Sequence, residues 1–241
     1  MKTVAIIQAR MSSTRLEGKV LLPLRENELV LDSVFNRIIK SKTIDEVVIA
    51  TSIAMSDDEI EIYCKKKNYP VVRGSLEDVL ERFYFAAMQY NADIIVRVTA
   101  DSPLIDFMLN DSLMDFFSAH KLDYAGVPQE YLARGISTEI FNFDSLERTF
   151  KEALAPHREH VTSYMYTNPH IFKCLRMDPP AIYRLSQKYR LTLDTQEDYQ
   201  VIKSIFTSFD AEYIEIKDVI EFLQNNPNIS KINSSYIQKG L

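Results

Sequence analysis

Apolar and polar positions along the chain fall into blocks whose period changes from strand-like to helix-like. Residues 3–8, TVAIIQ, are a short apolar run closed by a polar residue, the pattern of a strand buried on both faces of a sheet. From Leu31 to Ser41 the apolar residues Val34, Ile38 and Ile39 recur at helical spacing, and EVVIATS at 46–52 reads as a second buried strand. The alternation continues. Asp57–Lys67, with its acidic start, predicts a helix, Val71 and Val72 a short strand, Ser75–Tyr90 another helix and IIVRVTA at 94–100 another strand. Strands and helices in this order predict a mostly parallel sheet with helices on both faces, whose functional residues follow the carboxyl ends of strands.

The second half is less regular. Tyr124–Gly126, Thr138–Phe143 and Phe172–Met177 predict strands. Asp144–Ala153, His157–Tyr166, Thr195–Phe206 and Ile216–Gln224 predict helices, and the chain from Asn225 is polar with one proline. Repeats, linkers and low-complexity tracts are absent from the sequence.

Composition narrows the function. With 241 residues, 46% of them hydrophobic, the chain can build its own core. A net charge of -6 excludes a general basic surface for nucleic acid, so any phosphate site must be local. Cys64 and Cys174 lack the spacing of a disulfide framework or zinc ribbon. The apolar start is too short for a signal peptide or membrane span. The expected location is the cytoplasm, without a membrane partner.

One local cluster stands out. Arg10, Ser12, Ser13, Thr14, Arg15, Gly18 and Lys19 directly follow the first strand, placing three cations and three hydroxyls within ten residues. Arginine forks and a lysine ammonium neutralise polyphosphate oxygens, and glycine permits close approach. Neither the Walker pattern nor GxGxxG is present, so side chains must do the binding. A solvated basic turn is the competing interpretation.

Asp101 follows a strand and precedes Ser102-Pro103, a turn that delays any helix. A strand-end carboxylate suits Mg²⁺, which takes one or two carboxylates with waters and substrate phosphates. Asp194, after the alternating RLTL, is the candidate partner. On spacing alone each of Asp101, Asp106 and Asp194 serves equally as a ligand or as a helix N-cap. Asp78 and Arg82 share a helical face, which fits a surface ion pair as well as a nucleotide contact. Thr51 and Ser52 end the second strand, where they face a ligand or cap the next segment. His157 and His160 lie three apart but lack a third ligand at zinc spacing or an HExxH motif, which favours substrate binding or buried hydrogen bonding.

The segment QARMSSTRLEGKVLLPL resembles the signature loop of the cytidylyltransferases that activate acidic sugars, especially the branch named for spore-coat polysaccharide biosynthesis. The likeness runs on through IATS at 49–52, RGSLEDVLERFYFAA at 73–87, RVTADSPLID at 97–106 and LTLDTQEDY at 191–199. It implies an α/β, Rossmann-like three-layer nucleotidyltransferase (GT-A-like) fold with a mostly parallel mixed central sheet. It implies one domain over 1–241, with an irregular acceptor-binding and dimerisation insert around 123–190. It also implies a homodimer that transfers a cytidylyl group from CTP to a small anionic acceptor.

Residue by residue, the resemblance implies nucleotide contacts from Gln8, Ala9, Arg10, Ser13, Arg15, Lys19, Thr51, Ser52, Gly74, Asp78, Arg82 and Asp101. Catalytic roles fall to Arg10, Arg15, Lys19, Asp101 and Asp194, with Mg²⁺ on Asp101 and Asp194. Acceptor contacts fall to Arg134, Glu139, His157, His160 and Arg190. The chain departs from the family pattern at Glu17, where proline is common, and at Ser137, where an aspartate is usual. Two other classes stay open. A glycosyltransferase of related architecture would need an Asp-x-Asp motif, and Asp101-Ser102-Pro103 lacks the second aspartate. A non-catalytic nucleotide-binding protein would tolerate both departures.

Overall fold

The structure is a computed structural model, and it describes residues 1–236; residues 237–241 of the polar tail lie outside them. Nine strands and ten helices are described: β1 (Thr3–Gln8), β2 (Pro23–Arg25), β3 (Glu28–Leu29), α1 (Val30–Ile38), β4 (Glu46–Ser52), α2 (Asp58–Lys67), β5 (Val71–Gly74), α3 (Val79–Gln89), β6 (Ile94–Thr99), α4 (Phe107–His120), β7 (Tyr124–Gly126), β8 (Glu139–Asn142), α5 (Phe143–Glu152), α6 (Ser163–Thr167), β9 (Cys174–Arg176), α7 (Ala181–Arg184), α8 (Gln196–Ser208), α9 (Ile216–Asn225) and α10 (Pro227–Ser230).

Seven strands form the central sheet in the order β5-β4-β1-β6-β8-β7-β9, and β2 pairs with β3 apart from it. Its neighbouring strands are parallel except where β8 runs against β6 and β7. This is the mostly parallel mixed sheet that the sequence predicts. Side chains alternate between its faces as strand geometry requires. Val4 and Ile6 pack with α3 residues such as Phe83 on one side. Ala5 and Ile7 pack with Leu31, Leu109 and Ile202 on the other. Strands covered on both sides must be apolar throughout, which is why β1 and β4 read as unbroken runs.

Register puts the chemistry at one edge. Gln8 on β1 stands opposite Ala50 on β4 and Thr99 on β6, so the basic loop after β1 and Asp101 after β6 emerge side by side. Because β8 is reversed, it starts rather than ends at this edge, with Glu139 opposite Arg97. The irregular stretch 123–190 therefore supplies β7, β8 and β9 to the same sheet.

The structure corrects several predicted elements. α3 begins at Val79, not Ser75, because the Asp78 side chain accepts the Glu81 N–H at 2.9 Å and caps it. Residues 157–162 are turns, so His157 and His160 share no helical face; the helix there is confined to Ser163–Thr167. α4 is a fourteen-residue helix that the pattern reading passes over. Among the described residues, no helix is long and apolar enough to cross a membrane.

Candidate active site

The basic segment after β1 closes on itself. Gly18 adopts a left-handed conformation (φ 64°) and its N–H donates to the Met11 carbonyl at 3.0 Å, a geometry that favours glycine. From behind, the buried Asp57 carboxylate fastens the loop and the end of β4 together. It accepts from the Met11 N–H at 2.8 Å, the Ser52 N–H at 3.2 Å, Ser52 Oγ at 2.5 Å and Thr51 Oγ1 at 3.3 Å. Thr51 and Ser52 are fully buried, so their hydroxyls serve this anchor.

Lys19 follows Gly18 and reaches across the edge. Its ammonium donates to Asp101 Oδ2 at 2.8 Å and to Asp194 Oδ1 at 2.9 Å. The two aspartates are neighbours because the Leu193 N–H donates to the Asp101 carbonyl at 2.8 Å. Asp194 also receives Arg15 at 3.1 Å and Arg190 at 2.6 Å. Arg190 is held in turn by buried Asp198 at 2.9 Å.

Burial opposes the Lys19 charge, yet the two carboxylates outweigh it and raise the lysine above its ordinary pKa. Burial likewise opposes the Asp194 carboxylate, but Lys19, Arg15 and Arg190 hold it below the usual aspartate range. The helix cap beside it is Thr195, in a reciprocal box with Asp198. Asp194 is thereby left for the cavity.

Two cavities meet at this cluster. One, of about 600 Å³, is lined by Gln8, Ala9, Arg10, Ser13, Arg15, Lys19, Arg82, Asp101 and Asp194, together with Glu17, Glu159 and His160. The other, of about 680 Å³, is lined by Arg134, Glu139, His160, Tyr124, Tyr166 and Arg176 among others. Gln8, Arg15, Arg97, Thr99, Asp101, His160 and Asp194 border both.

The predicted residues thus divide. The loop cations, Arg82 and both aspartates converge on the first cavity, and Arg134, Glu139 and His160 on the second. Thr51, Ser52, Gly74 and Asp78 line neither. Asp78 caps α3 and pairs with Arg158. Gly74 makes room: a Cβ there would stand 2.7 Å from Arg82 Cγ. His157 is hydrogen-bonded to Ser163 Oγ at 2.7 Å, outside both cavities. Arg190 acts on Asp194 and Asp198 instead of lining a cavity.

Arg82 is 3% exposed, and its Nε and Nη1 have no partner among the described residues. Burial and the nearby Arg10 push its pKa below the ordinary arginine value. A buried guanidinium without acceptors, facing a cavity, is a donor set for an anionic or acceptor-rich ligand.

Arg97 is one of the residues that sequence reading missed, with Asp57 and Arg176. It pairs with Glu139 and donates from Nε to Gln8 Oε1 at 3.1 Å. Glu139 also accepts from Tyr124 at 2.6 Å and Thr162 at 2.9 Å. Burial opposes its charge, but Arg97 and these donors hold the carboxyl below the usual glutamate range. The available signal was one arginine inside an otherwise apolar strand, since a charge in such a run needs a partner.

The geometry joins the cavity that holds the loop cations to a second polar one across a pair of carboxylates. Residues 4–231 match the cytidylyltransferase family model. The chain belongs to the cytidylyltransferase family. Among relatives of this cytidylyltransferase, an uncharacterized protein of Methanocaldococcus jannaschii is 40% identical, over 99% of this chain and 97% of that protein. The spore coat polysaccharide biosynthesis protein SpsF of Bacillus subtilis is 37% identical, over 92% of this chain and 94% of that protein. A solved cytidylyltransferase from Leptospira borgpetersenii aligns over all of both chains with a TM-score of 0.88 and 36% identity. A CMP:2-keto-3-deoxy-manno-octonic acid synthetase solved with CTP has a TM-score of 0.62 at 14% identity, over 86% of this chain and 99% of that one, a likeness of fold.

Proposed function

We propose that this cytidylyltransferase transfers the cytidylyl group of CTP to a small anionic acceptor, an acidic sugar or a phosphorylated metabolite, and releases pyrophosphate. The observation that carries this reading is the Asp101 and Asp194 pair, which borders both cavities and receives Lys19 from the first. Two cavities that meet at the carboxylate pair support a reading in which nucleotide and acceptor bind on either side of it. The relationship to SpsF supports a role in surface polysaccharide synthesis. The proposal includes a cytoplasmic homodimer, whose assembly sedimentation analysis tests.

In this reaction an acceptor oxygen forms a bond to the α-phosphorus of CTP while the bond from that phosphorus to the bridging oxygen breaks, and pyrophosphate departs with the electron pair. Charge neutralisation dominates such chemistry. Arg10, Arg15 and Lys19 hold the triphosphate, and the buried Arg82 adds donors from the cavity wall. Arg134 and Arg176 face the acceptor from the second cavity.

Two hard carboxylates on Asp101 and Asp194 fit Mg²⁺, and these two residues would hold it. Bound there, Mg²⁺ would supply Lewis-acid polarisation of the α-phosphate. A phosphate acceptor arrives already ionised, whereas a hydroxyl has to lose its proton.

The test is a pyrophosphate-release screen of nucleoside triphosphates against acidic-sugar and phosphorylated acceptors. CTP-dependent release with one acceptor class is expected. Transfer from a nucleotide sugar without pyrophosphate would overturn the reading, as would tight CTP binding with no turnover across the panel.

A further inference from the structure

Lys19 stands at the one place where the site's two carboxylates meet. Its ammonium lies 2.8 Å from Asp101 Oδ2 and 2.9 Å from Asp194 Oδ1, with 12% of the side chain accessible. Two of its three N–H donors are committed to the pair. The carboxylates are otherwise unequal. Asp194 is also held by Arg15 and Arg190, whereas Asp101 has Lys19 as its one hydrogen-bonded side-chain partner among the described residues.

Two carboxylates aimed at a common point repel each other unless a cation lies between them. A divalent ion that took those two oxygens would need the point where the Lys19 ammonium stands. A lysine ammonium and a divalent ion cannot both occupy it.

Lys19 also lines the nucleotide cavity beside Arg10 and Arg15 and begins the short turn after Gly18. Its flexible four-carbon stem lets the ammonium choose between carboxylates and phosphates.

Resting on the reading of this site as a CTP and Mg²⁺ site, we infer that Lys19 is a tethered counter-ion for the metal position. In the nucleotide-free protein it holds Asp101 and Asp194 together and competes with divalent cations. Triphosphate takes over the ammonium and so frees the carboxylate pair. Nucleotide and metal then bind with positive linkage, and the linkage is reciprocal. Lys19 is in this respect a positioning residue in addition to a phosphate ligand.

The deciding measurement is Mn²⁺ binding to the full-length, nucleotide-free protein, read from the electron paramagnetic resonance of free Mn²⁺. Lys19→Met keeps the bulk of the stem without its charge, and it is expected to bind Mn²⁺ at least about tenfold more tightly than the wild type. Lys19→Arg, which restores the charge, is expected to bind as weakly as the wild type. Adding Asp101→Asn to Lys19→Met should abolish the gain.

Thermal melts supply a second readout. Mn²⁺ should raise the Tm of Lys19→Met more than that of the wild type, because the variant lacks the cation between its carboxylates. Unimproved Mn²⁺ binding by folded Lys19→Met would overturn the inference. A gain that persists with Asp101→Asn would do the same.

Pyrophosphate release by the wild type separates the two levels. No CTP turnover would sink the proposed reaction whatever Mn²⁺ does, whereas turnover with unchanged Mn²⁺ binding in Lys19→Met would sink the counter-ion role alone.

Discussion

Six aspartates at the carboxyl edge of the sheet fall into two groups that the sequence does not distinguish. Asp57, Asp78, Asp106 and Asp198 each accept at least one backbone N–H, from Met11 and Ser52, Glu81, Leu109, and Asp194 and Thr195 respectively. Among the described residues, the Asp101 and Asp194 side chains accept no backbone N–H and are held by the side-chain cations Lys19, Arg15 and Arg190. A backbone amide is fixed and satisfied once, so the aspartate it holds becomes scaffold. A mobile cation can be shared with an arriving phosphate, so the aspartate it holds stays available for chemistry. Partner type, more than residue type or position after a strand, separates the two groups.

The comparison breaks most visibly if an aspartate from each group is removed. Asp101→Asn leaves Lys19 paired with Asp194 and should stay folded, yet pyrophosphate release should fall by about 10²–10³-fold, the scale of losing one preorganised electrostatic group. Asp57→Ala should do the reverse. It strands the Met11 and Ser52 N–H groups and two buried hydroxyls, at a cost of about 3 kcal/mol in stability. Chemical denaturation and turnover per folded molecule, measured on both variants, should show opposite patterns. Equal catalytic loss in the two would erase the distinction.

That distinction marks where sequence reading succeeds and where it stops. β1 and β4 are legible to the residue because strands covered on both faces must be apolar throughout. The basic loop is legible as a cluster of cations after β1, and Arg10, Arg15 and Lys19 line one cavity. α4 carries a legible signal that the pattern reading passes over: Leu109, Leu113 and Phe117 recur at helical spacing behind the Asp106 cap. The turn at 157–162 reads as helix because its composition suits one, while its backbone closes in short steps such as His157 N–H to the Leu154 carbonyl.

Thr51, Ser52 and Asp78 sit where ligand contacts are expected, and their polar atoms are consumed by Asp57, Glu81 and Arg158. Three of these pairings are local, within six residues, and match the capping alternative that spacing leaves open, whereas the Asp78–Arg158 pair joins residues 80 apart and spacing carries no record of it.

Acidity sharpens the comparison by a smaller amount. The Asp194 pKa is depressed in the folded protein, so its contribution to stability is present above the unfolded carboxylate value of about 3.9 and lost as pH falls through the lower folded value. The Lys19 pKa is raised, so its contribution is complete below the unfolded lysine value of about 10.4 and lost as pH rises through the folded one. The cluster should therefore add a constant term to Tm between about pH 5 and pH 9 and weaken at both extremes. In Asp194→Asn the acid limb should be shallower than in the wild type. Superimposable limbs would mean that the cluster adds nothing to folding.

The smallest expected effect belongs to Glu17, an exposed carboxylate on the wall of the first cavity. It falls outside both groups, since no hydrogen bond or ion pair holds its side chain among the described residues. Standing in a cavity that also presents Arg10, Arg15 and Lys19, its charge opposes an arriving triphosphate. Being exposed, it does so by only about 0.5 kcal/mol and under salt screening. Glu17→Gln should lower the KM for CTP about two- to threefold at low ionic strength, with little change in kcat and with the difference closing as salt is added. A KM that rises would place Glu17 on the other side of the ledger, as a carboxylate that helps to receive the cation accompanying the nucleotide.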